Sequence, residues 1–321
     1  MLFETVETPG LAQRSYLIGS QGQAAVIDPR RDCEVYLELA RKRGLEIRYV
    51  LETHRNEDLI SGAPTLAEWT GARVLHGPNP AGPVAYAETV REGERLELGQ
   101  LILEVLETPG HTDDHLAFAL FDQDYPDGAV GVFTGDALFV GDVGRADFYP
   151  ERREQVAGQL YDSLQKLLAL GDQALIYPAH GAGSVCGSGV AERGFSSIGL
   201  ERRNPLLQLD REAFVARKLA ETHYIPPYFQ LMRRLNLEGA PPPPRVLRPR
   251  TRCAWASSRA GTPTTCSTCA SRWPSSAGTS RAPSRSPWTC SRPTPAGSCA
   301  RASRWRSWGT PRPSSTRPTR T

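Results

Sequence analysis

Four short polar motifs, each placed directly after a β-rich run, constrain the fold of this chain more than any other feature. The motifs are THRNED at 53–58, TPGHTDDH at 108–115, TGDALF at 134–139 and PAHG at 178–181. Loops that follow strands are where a rigid scaffold carries its chemical groups. A single buried histidine is more often bonded to a backbone carbonyl than to a metal. Three histidines and one aspartate, each at the end of a β-rich run, favour one common site. The candidates are His54, His111, Asp136 and His180.

The order of the segments predicts a layered α/β fold. Strands dominate the first 190 residues, with helical segments between them, and SYLIG and AAVIDP read as a hairpin around a glycine-containing turn. Two sheets packed face to face with helices on their outer faces accommodate this order. We predict a first domain at 1–200, a helical extension packing on it at 201–240, and a proline-rich linker at 241–250.

The last 71 residues differ in composition from the rest of the chain. Residues 251–321 use eight amino-acid types and contain no Leu, Ile, Val, Met, Phe or Tyr. A segment without these side chains cannot build a core, so we predict a disordered tail. All eight types have codons with G or C in the middle. A one-base slip in a GC-rich gene would produce this, because the third base of each codon, usually G or C, would then become the middle base. Regrouping back-translated bases over 265–287 gives a string that resembles the opening of a rhodanese domain, and we interpret the tail as its out-of-frame translation.

Charge and cysteine content indicate the compartment and the partners. The tail holds twelve arginines and no acid, so removing it from the net charge of +3 leaves −9 for residues 1–250. The tail lacks lysine and any regular spacing of arginine with aromatics, which argues against a nucleic-acid-binding arm. Two thiols outside the tail make no disulfide framework and fit a reducing compartment, and no segment approaches the roughly 20 apolar residues of a membrane span. We expect a cytoplasmic protein that binds neither nucleic acid nor membrane; a homo-oligomer stays open.

The ordered motifs resemble the metallo-β-lactamase superfamily, and within it the glyoxalase II and persulfide dioxygenase branch. The resemblance covers about residues 1–200 and rests on TPGHT, TGDALF followed by GDVGRADF, and YPAHGAGS. It implies an αββα sandwich. The signature loop H-x-H-x-D-H of the family is matched only at His54 and Asp58, because Asn56 and Leu59 stand where the other two histidines belong.

This departure from the pattern favours one metal over two. In the dinuclear zinc hydrolases of the family, the resemblance implies one metal held at positions 54, 56, 111 and 136, and a second at 58, 59, 136 and 180. Leu59 offers no ligand atom, and the neutral amide of Asn56 is a poor substitute for imidazole. His54, His111 and Asp136 remain, and two histidines with one carboxylate form the facial triad of non-haem Fe(II) oxygenases.

The resemblance therefore implies a mononuclear Fe(II) persulfide dioxygenase. Its substrates would be O2 and a low-molecular-weight thiol persulfide, such as glutathione persulfide, with sulfite as a product. Two alternatives stay open: a zinc-dependent hydroxyacylglutathione hydrolase of the glyoxalase II type, and a metal-poor pseudoenzyme or thiol-binding protein.

Five further residues are candidates for roles around the metal or the substrate: Asn56, Asp58, Arg145, His180 and Cys186. Asp58 and His180 either hydrogen-bond to metal ligands and bound water or only stabilise the loop. Arg145 either pairs with a substrate carboxylate or forms a structural ion pair with Asp147 or Asp142. Cys186 either carries a transient persulfide or is a buried inert thiol. Arg55 and Glu57 are interpreted as a solvated loop pair, and His76 and His115 as structural.

Overall fold

Residues 1–241 are described in the computed structural model, and their twelve strands form two six-stranded sheets. The first sheet has the strand order β1-β2-β3-β4-β5-β6, antiparallel from β1 to β3 and parallel from β3 to β6. Its strands are Leu2–Thr8, Gln13–Ser20, Gln23–Ile27, Glu46–Leu51, Arg73–His76 and Glu88–Thr89.

The second sheet has the order β12-β11-β10-β9-β8-β7. Strands β7 to β10 are antiparallel, β10 and β11 are parallel, and β12 returns antiparallel to β11. In chain order these strands are Arg95–Leu98, Leu101–Glu107, Leu116–Asp122, Gly131–Gly135, Leu175–Pro178 and Ser196–Ser197.

Six helices accompany the sheets, and their ends follow ordinary capping chemistry. Helix α1 ends at Gly44, which takes the left-handed conformation with φ +64°. Helix α5 begins after Asp210, whose carboxylate accepts the amide N–H of Ala213 at 2.8 Å, which is the usual hydrogen bond of an N-cap residue. The helices α1 to α6 are Glu34–Arg43, Ala63–Thr70, Arg153–Leu168, Ile198–Glu201, Arg211–Ala220 and Phe229–Glu238.

The hydrophobic core has three layers, which confirms the predicted αββα sandwich. The central layer lies between the sheets and contains Tyr16 and Ile18 of β2 together with Phe118 of β9 and Phe133 of β10. A second layer packs α1 and α2 against the first sheet, and a third packs α3 and α5 against the second sheet. Each sheet therefore buries one face against the other sheet and the opposite face under helices.

Local turn chemistry explains the predicted hairpin of β2 and β3. Tyr16 pairs with Ile27 and Ser20 with Gln23, leaving Gln21 and Gly22 as a two-residue turn. Both turn residues have positive φ, +48° and +81°. Two central residues with positive φ match the right-handed twist of the flanking strands.

The chain turns helical at residue 198, but the segment up to residue 209 is not one continuous helix. It forms the single turn α4 and a 3₁₀ turn at Pro205–Gln208. Pro205 has no backbone N–H to continue a helix, which explains the interruption. Within the described part of the chain, no helix has the length and apolar character required to span a bilayer. The predicted linker beyond residue 241 and the out-of-frame rhodanese tail lie outside the described residues.

Candidate metal centre

Four strand ends deliver the predicted site residues to one edge of the sandwich. Strands β8, β10 and β11 run in the same direction, so their carboxyl ends carry His111, Asp136 and His180 to the same edge of the second sheet. His54 follows β4 of the facing sheet. One ligand atom from each of His54, His111 and Asp136 lies within 4.8 Å of the other two. The structure thus brings together the three residues proposed as metal ligands.

The ring of His54 is oriented by a buried chain of hydrogen bonds. Its Nδ1 lies 2.8 Å from the hydroxyl of Thr53, and that hydroxyl donates to Asp28 at 2.8 Å. Because the Thr53 proton goes to the carboxylate, Nδ1 of His54 carries the imidazole proton and Nε2 keeps its lone pair. Nε2 lies 3.8 Å from Asp136 Oδ2.

His111 is held in the same tautomer by a different partner. Its Nδ1 donates to the backbone carbonyl of Arg145 at 3.0 Å, and its Nε2 lies 3.5 Å from Asp136 Oδ2. Burial lowers the pKa of His111 to about 3 although the carboxylate of Asp136 opposes this shift. The imidazole is therefore neutral near pH 7, which is the state in which a histidine binds a metal.

The two carboxylate oxygens of Asp136 have different partners. Oδ1 accepts a hydrogen bond from His180 Nδ1 at 2.7 Å, while Oδ2 has no hydrogen-bond partner in the described structure. The amide N–H of Asp136 donates to His115, whose Nδ1 in turn pairs with Thr108. Burial raises the pKa of Asp136, but His180, His54 and His111 together hold it well below its ordinary value.

These three residues fit a divalent cation. Their ligand atoms are two imidazole nitrogens with available lone pairs and one ionised oxygen, all buried. Asp136 Oδ2 and His111 Nε2 lack hydrogen-bond partners among residues 1–241. Leaving a buried polar atom unpaired costs free energy, and a shared cation would remove that cost for both atoms.

A second donor cluster consists of Asp58, His180 and Cys186, whose ligand atoms also lie within 4.8 Å of one another. Here the donors bind each other. His180 Nε2 lies 2.9 Å from Asp58 Oδ2, and Nδ1 contacts Asp136, so both ring nitrogens face carboxylates. Burial opposes protonation, but these two carboxylates raise the pKa of His180 well above its ordinary value. The ring is then an imidazolium that donates on both sides and has no lone pair for a metal.

The Cys186 thiol lies within this cluster and is buried. Burial, followed by the charges of Asp136 and Asp58, raises its pKa well above the usual range. A thiol is nucleophilic as the thiolate. Of the two roles left open for Cys186, this environment favours the buried inert thiol.

Arg145 forms the structural ion pair, not a contact poised for substrate. Its guanidinium is fully buried and donates to both carboxylate oxygens of Asp147, at 2.7 and 2.9 Å. The remaining nitrogen donates to the backbone carbonyls of Val185 and Tyr224. Asp142 has other donors, the amide N–H groups of residues 143, 188 and 189.

The altered loop is held in place by a residue that the sequence did not single out. Asn236 of α6 donates to the backbone carbonyls of Asn56 and Leu59 at 2.8 Å each and accepts the amide N–H of Ser61. Asn56 turns its own amide toward the carbonyl of His54 at 3.4 Å, and Leu59 is buried. The helical segment after residue 200 therefore contacts the loop that follows His54 directly.

The interpretation of Glu57 as a solvated loop residue is wrong. Its side chain is fully buried, and Oε2 lies 3.8 Å from His111 Nε2. Neither carboxylate oxygen has a hydrogen-bond partner in residues 1–241. Burial raises the pKa of Glu57 well above its ordinary value. Charged residues in a short loop are usually solvated, so the sequence offered no signal beyond the position next to Asn56.

A family model for the metallo-beta-lactamase superfamily matches residues 8–180. The chain belongs to this superfamily. A hydroxyacylglutathione hydrolase from Methylobacillus flagellatus is 33% identical over 204 residues, which cover 63% of this chain and 72% of that protein. The hydroxyacylglutathione hydrolase from Rhodospirillum rubrum is 35% identical over 160 residues, 50% of this chain and 57% of the relative.

Solved structures show the same superfamily fold. A metallo-beta-lactamase from Staphylococcus aureus superposes with a TM-score of 0.71 at 30% identity, covering 76% of this chain and 74% of that one. ETHE1 from Myxococcus xanthus gives a TM-score of 0.63 at 33% identity and covers 74% of this chain and 98% of its own. Proteins named hydroxyacylglutathione hydrolase and the protein named ETHE1 are thus both similar to this chain. The fold alone does not distinguish their activities, so the chemistry of this chain must be argued from its site.

Proposed function

We propose that this chain is a mononuclear Fe(II) persulfide dioxygenase. One thiol persulfide, one O2 and one water would yield the thiol, sulfite and two protons, with the terminal sulfur oxidised and O2 reduced. His54, His111 and Asp136 would hold the metal, and a bound Fe(II) would supply the electron transfer that O2 activation needs.

One observation carries the proposal: the first cluster offers available donor atoms from all three of its residues, whereas the histidine of the second cluster has no available nitrogen. His54, His111 and Asp136 aim free ligand atoms at one another within 4.8 Å. His180, which the dinuclear pattern would use for a second metal, has both nitrogens engaged by Asp58 and Asp136. Zinc hydrolases with two metals need the second set of donors, whereas two imidazoles and one carboxylate are sufficient for one iron.

The protein groups around these ligands have separate tasks. Thr53 and the Arg145 carbonyl fix the imidazole tautomers. His180 holds Asp136 Oδ1, which leaves Oδ2 directed at the two imidazoles. Phe148 packs edge-on against His111 with ring centroids 5.1 Å apart, and its apolar ring would shield this ligand from water.

A zinc-dependent thioester hydrolase is the second candidate, because relatives at 33% and 35% identity are named hydroxyacylglutathione hydrolase. One zinc can lower the pKa of bound water enough to generate hydroxide near neutral pH. The weakness of this candidate lies at positions 56 and 59, where Asn and Leu replace the imidazoles of the family pattern.

Metal analysis and two assays separate the candidates. The full chain is expressed in medium supplemented with both iron and zinc, its metal content is measured, and each metal is then loaded separately. We expect one iron per chain, with O2 uptake and sulfite formation on glutathione persulfide. Zinc-dependent cleavage of a hydroxyacylglutathione thioester without O2 uptake would reverse the ranking, and inactivity with either metal would favour a thiol-binding protein.

A further inference from the structure

Glu57 differs from every other buried carboxylate in residues 1–241. Eight carboxylate side chains are buried there, and seven accept at least one hydrogen bond. Glu57 accepts none on either oxygen, and its side chain is 0% exposed. The seven partnered residues are Asp28, Glu52, Asp58, Asp114, Asp136, Asp142 and Glu201.

The immediate surroundings of Glu57 do not neutralise its charge. The nearest cationic group is Arg233, whose Nε lies 3.9 Å from Oε1 and is too distant for a hydrogen bond. Burying an ionised carboxylate without hydrogen-bond donors is strongly unfavourable. A loop that keeps such a side chain inside the protein is explained when a cation binds there.

The other neighbour of Glu57 identifies where that cation would lie. Oε2 is 3.8 Å from His111 Nε2, and His111 Nε2 is one of the atoms without a hydrogen-bond partner that face Asp136 Oδ2. Glu57 also follows Asn56 directly, at the position where the loop pattern has lost its imidazole. The loop that lacks an imidazole at position 56 therefore places a carboxylate beside His111 from the next position.

We propose that Glu57 is a fourth metal ligand that replaces the missing imidazole. Glu57 lies beside His111 but outside the group of three residues whose ligand atoms are within 4.8 Å of one another, so its carboxylate would move toward the bound metal. The donor set would then be two imidazoles and two carboxylates, from His54, His111, Asp136 and Glu57. With a divalent cation this set is electrically neutral, and its higher oxygen content favours iron or manganese over zinc. The inference rests on the proposed function only in requiring a metal at His54, His111 and Asp136.

The test is metal affinity in the full chain, measured by competition with a chromophoric chelator using Fe(II) under anaerobic conditions and Co(II). Glu57→Gln keeps the shape of the side chain but removes its charge. We expect the affinity of E57Q to fall at least about tenfold, since even residues that only support ligands cost 10–100-fold when changed. The Co(II) absorption bands should shift in position and intensity, because the number of protein ligands changes.

Two variants provide matched controls. Glu52→Gln removes another buried carboxylate, one that accepts a hydrogen bond from Tyr86 at 3.3 Å, and should leave the Co(II) spectrum and the affinity unchanged. Arg233→Gln removes the only cationic side chain within 4 Å of Glu57 in the described structure. If Glu57 served an ion pair with Arg233, E57Q and R233Q would destabilise the metal-free protein alike and leave metal affinity intact, which would overturn the inference.

Thermal stability gives a second test, because the substitution should affect the metal-free and the metal-loaded protein in opposite directions. Replacing a buried carboxyl group that has no hydrogen-bond partner should leave metal-free E57Q at least as stable as the wild type in thermal unfolding, whereas metal-loaded E57Q should lose stability relative to the wild type. Equal metal affinity in E57Q and wild type would refute the role of Glu57 alone. Wild-type protein that binds metal but consumes no O2 with persulfide would instead refute the oxygenase activity and leave the role of Glu57 intact.

Discussion

The two donor clusters of this site, His54 with His111 and Asp136, and Asp58 with His180 and Cys186, are linked by the contact between His180 and Asp136 but differ in what their donor atoms contact. In the first, Nε2 of His54 and Nε2 of His111 face Asp136 Oδ2 at 3.8 and 3.5 Å, beyond hydrogen-bond distance. In the second, His180 lies 2.7 and 2.9 Å from two carboxylates and forms hydrogen bonds with both. The difference shows what remains of a two-metal pattern when positions 56 and 59 lack imidazoles. Asp58 and His180, which would bind the second metal, bond to each other, and His180 also holds Asp136 of the first cluster.

Asp136→Ala should have the largest effect, because it removes a proposed metal ligand of the first cluster together with the carboxylate that links this cluster to His180 of the second. Metal affinity should fall more than about 100-fold, beyond the range seen for residues that only support ligands. Metal content after dialysis against a chelator measures this. The exposed Asp172→Ala serves as the control, and retention of full metal content by D136A would contradict the assignment.

The double variant Asn56→His with Leu59→His restores the family pattern and should allow the second cluster to bind a metal as well as the first. We expect the zinc content to rise from one to two per chain and thioester cleavage to appear, since a second metal can then draw on Asp58 and His180. Either single variant serves as a control. A double variant that still binds one metal would show that the positions of residues 56 and 59, and not only their side chains, set the stoichiometry.

Asp58→Asn should weaken metal binding at His54, His111 and Asp136, although Asp58 is not one of these proposed ligands. Asp58 holds His180, and His180 holds Asp136 Oδ1, so the variant loosens a metal ligand through one intermediate. Metal affinity should drop about 10–100-fold. Asp162→Asn, which changes an exposed carboxylate paired with Arg211, should have no effect in the same titration. If D58N bound metal as tightly as the wild type, the two clusters would be independent.

The two clusters should also titrate in opposite directions in the metal-free protein. His111 has a pKa of about 3, against about 6.5 when unfolded, so its burial costs stability as the pH falls below 6.5. His180 has a raised pKa, so its contribution is complete below 6.5 and is lost as the pH rises through the folded value. Imidazole ¹⁵N shifts at pH 6.5 should show His111 neutral and His180 charged. Identical titration of both rings would refute the contrast.

Cys186→Ala should have the smallest effect. Since burial and nearby carboxylates raise the pKa of this thiol, it contributes no thiolate at neutral pH. O2 uptake and metal content should match those of Cys33→Ala, a buried cysteine in the core under α1 and α2. A selective loss of sulfite formation in C186A would revive the persulfide-carrier role.

The fold and the three ligand candidates could be predicted because their signals are local. Apolar runs of β-length, a Gly-containing turn and polar motifs at strand ends all lie within short windows, and the structure places His54, His111 and Asp136 together as expected. The supporting residues could not be found this way. Asn236 bonds to the loop at Asn56 from 180 positions away, and nothing near Asn236 in the sequence indicates that contact.

The sequence by itself determined the αββα architecture, the superfamily and the loss of two imidazoles from the loop. Tertiary structure alone decided which donors stay free, because hydrogen bonding between distant side chains is a property of their packed positions. His180 became an imidazolium between Asp58 and Asp136, Arg145 became the partner of Asp147, and Glu57 was buried beside His111. An exposed histidine would not be held as an imidazolium in this way, because solvent and not two neighbouring carboxylates would then set its pKa.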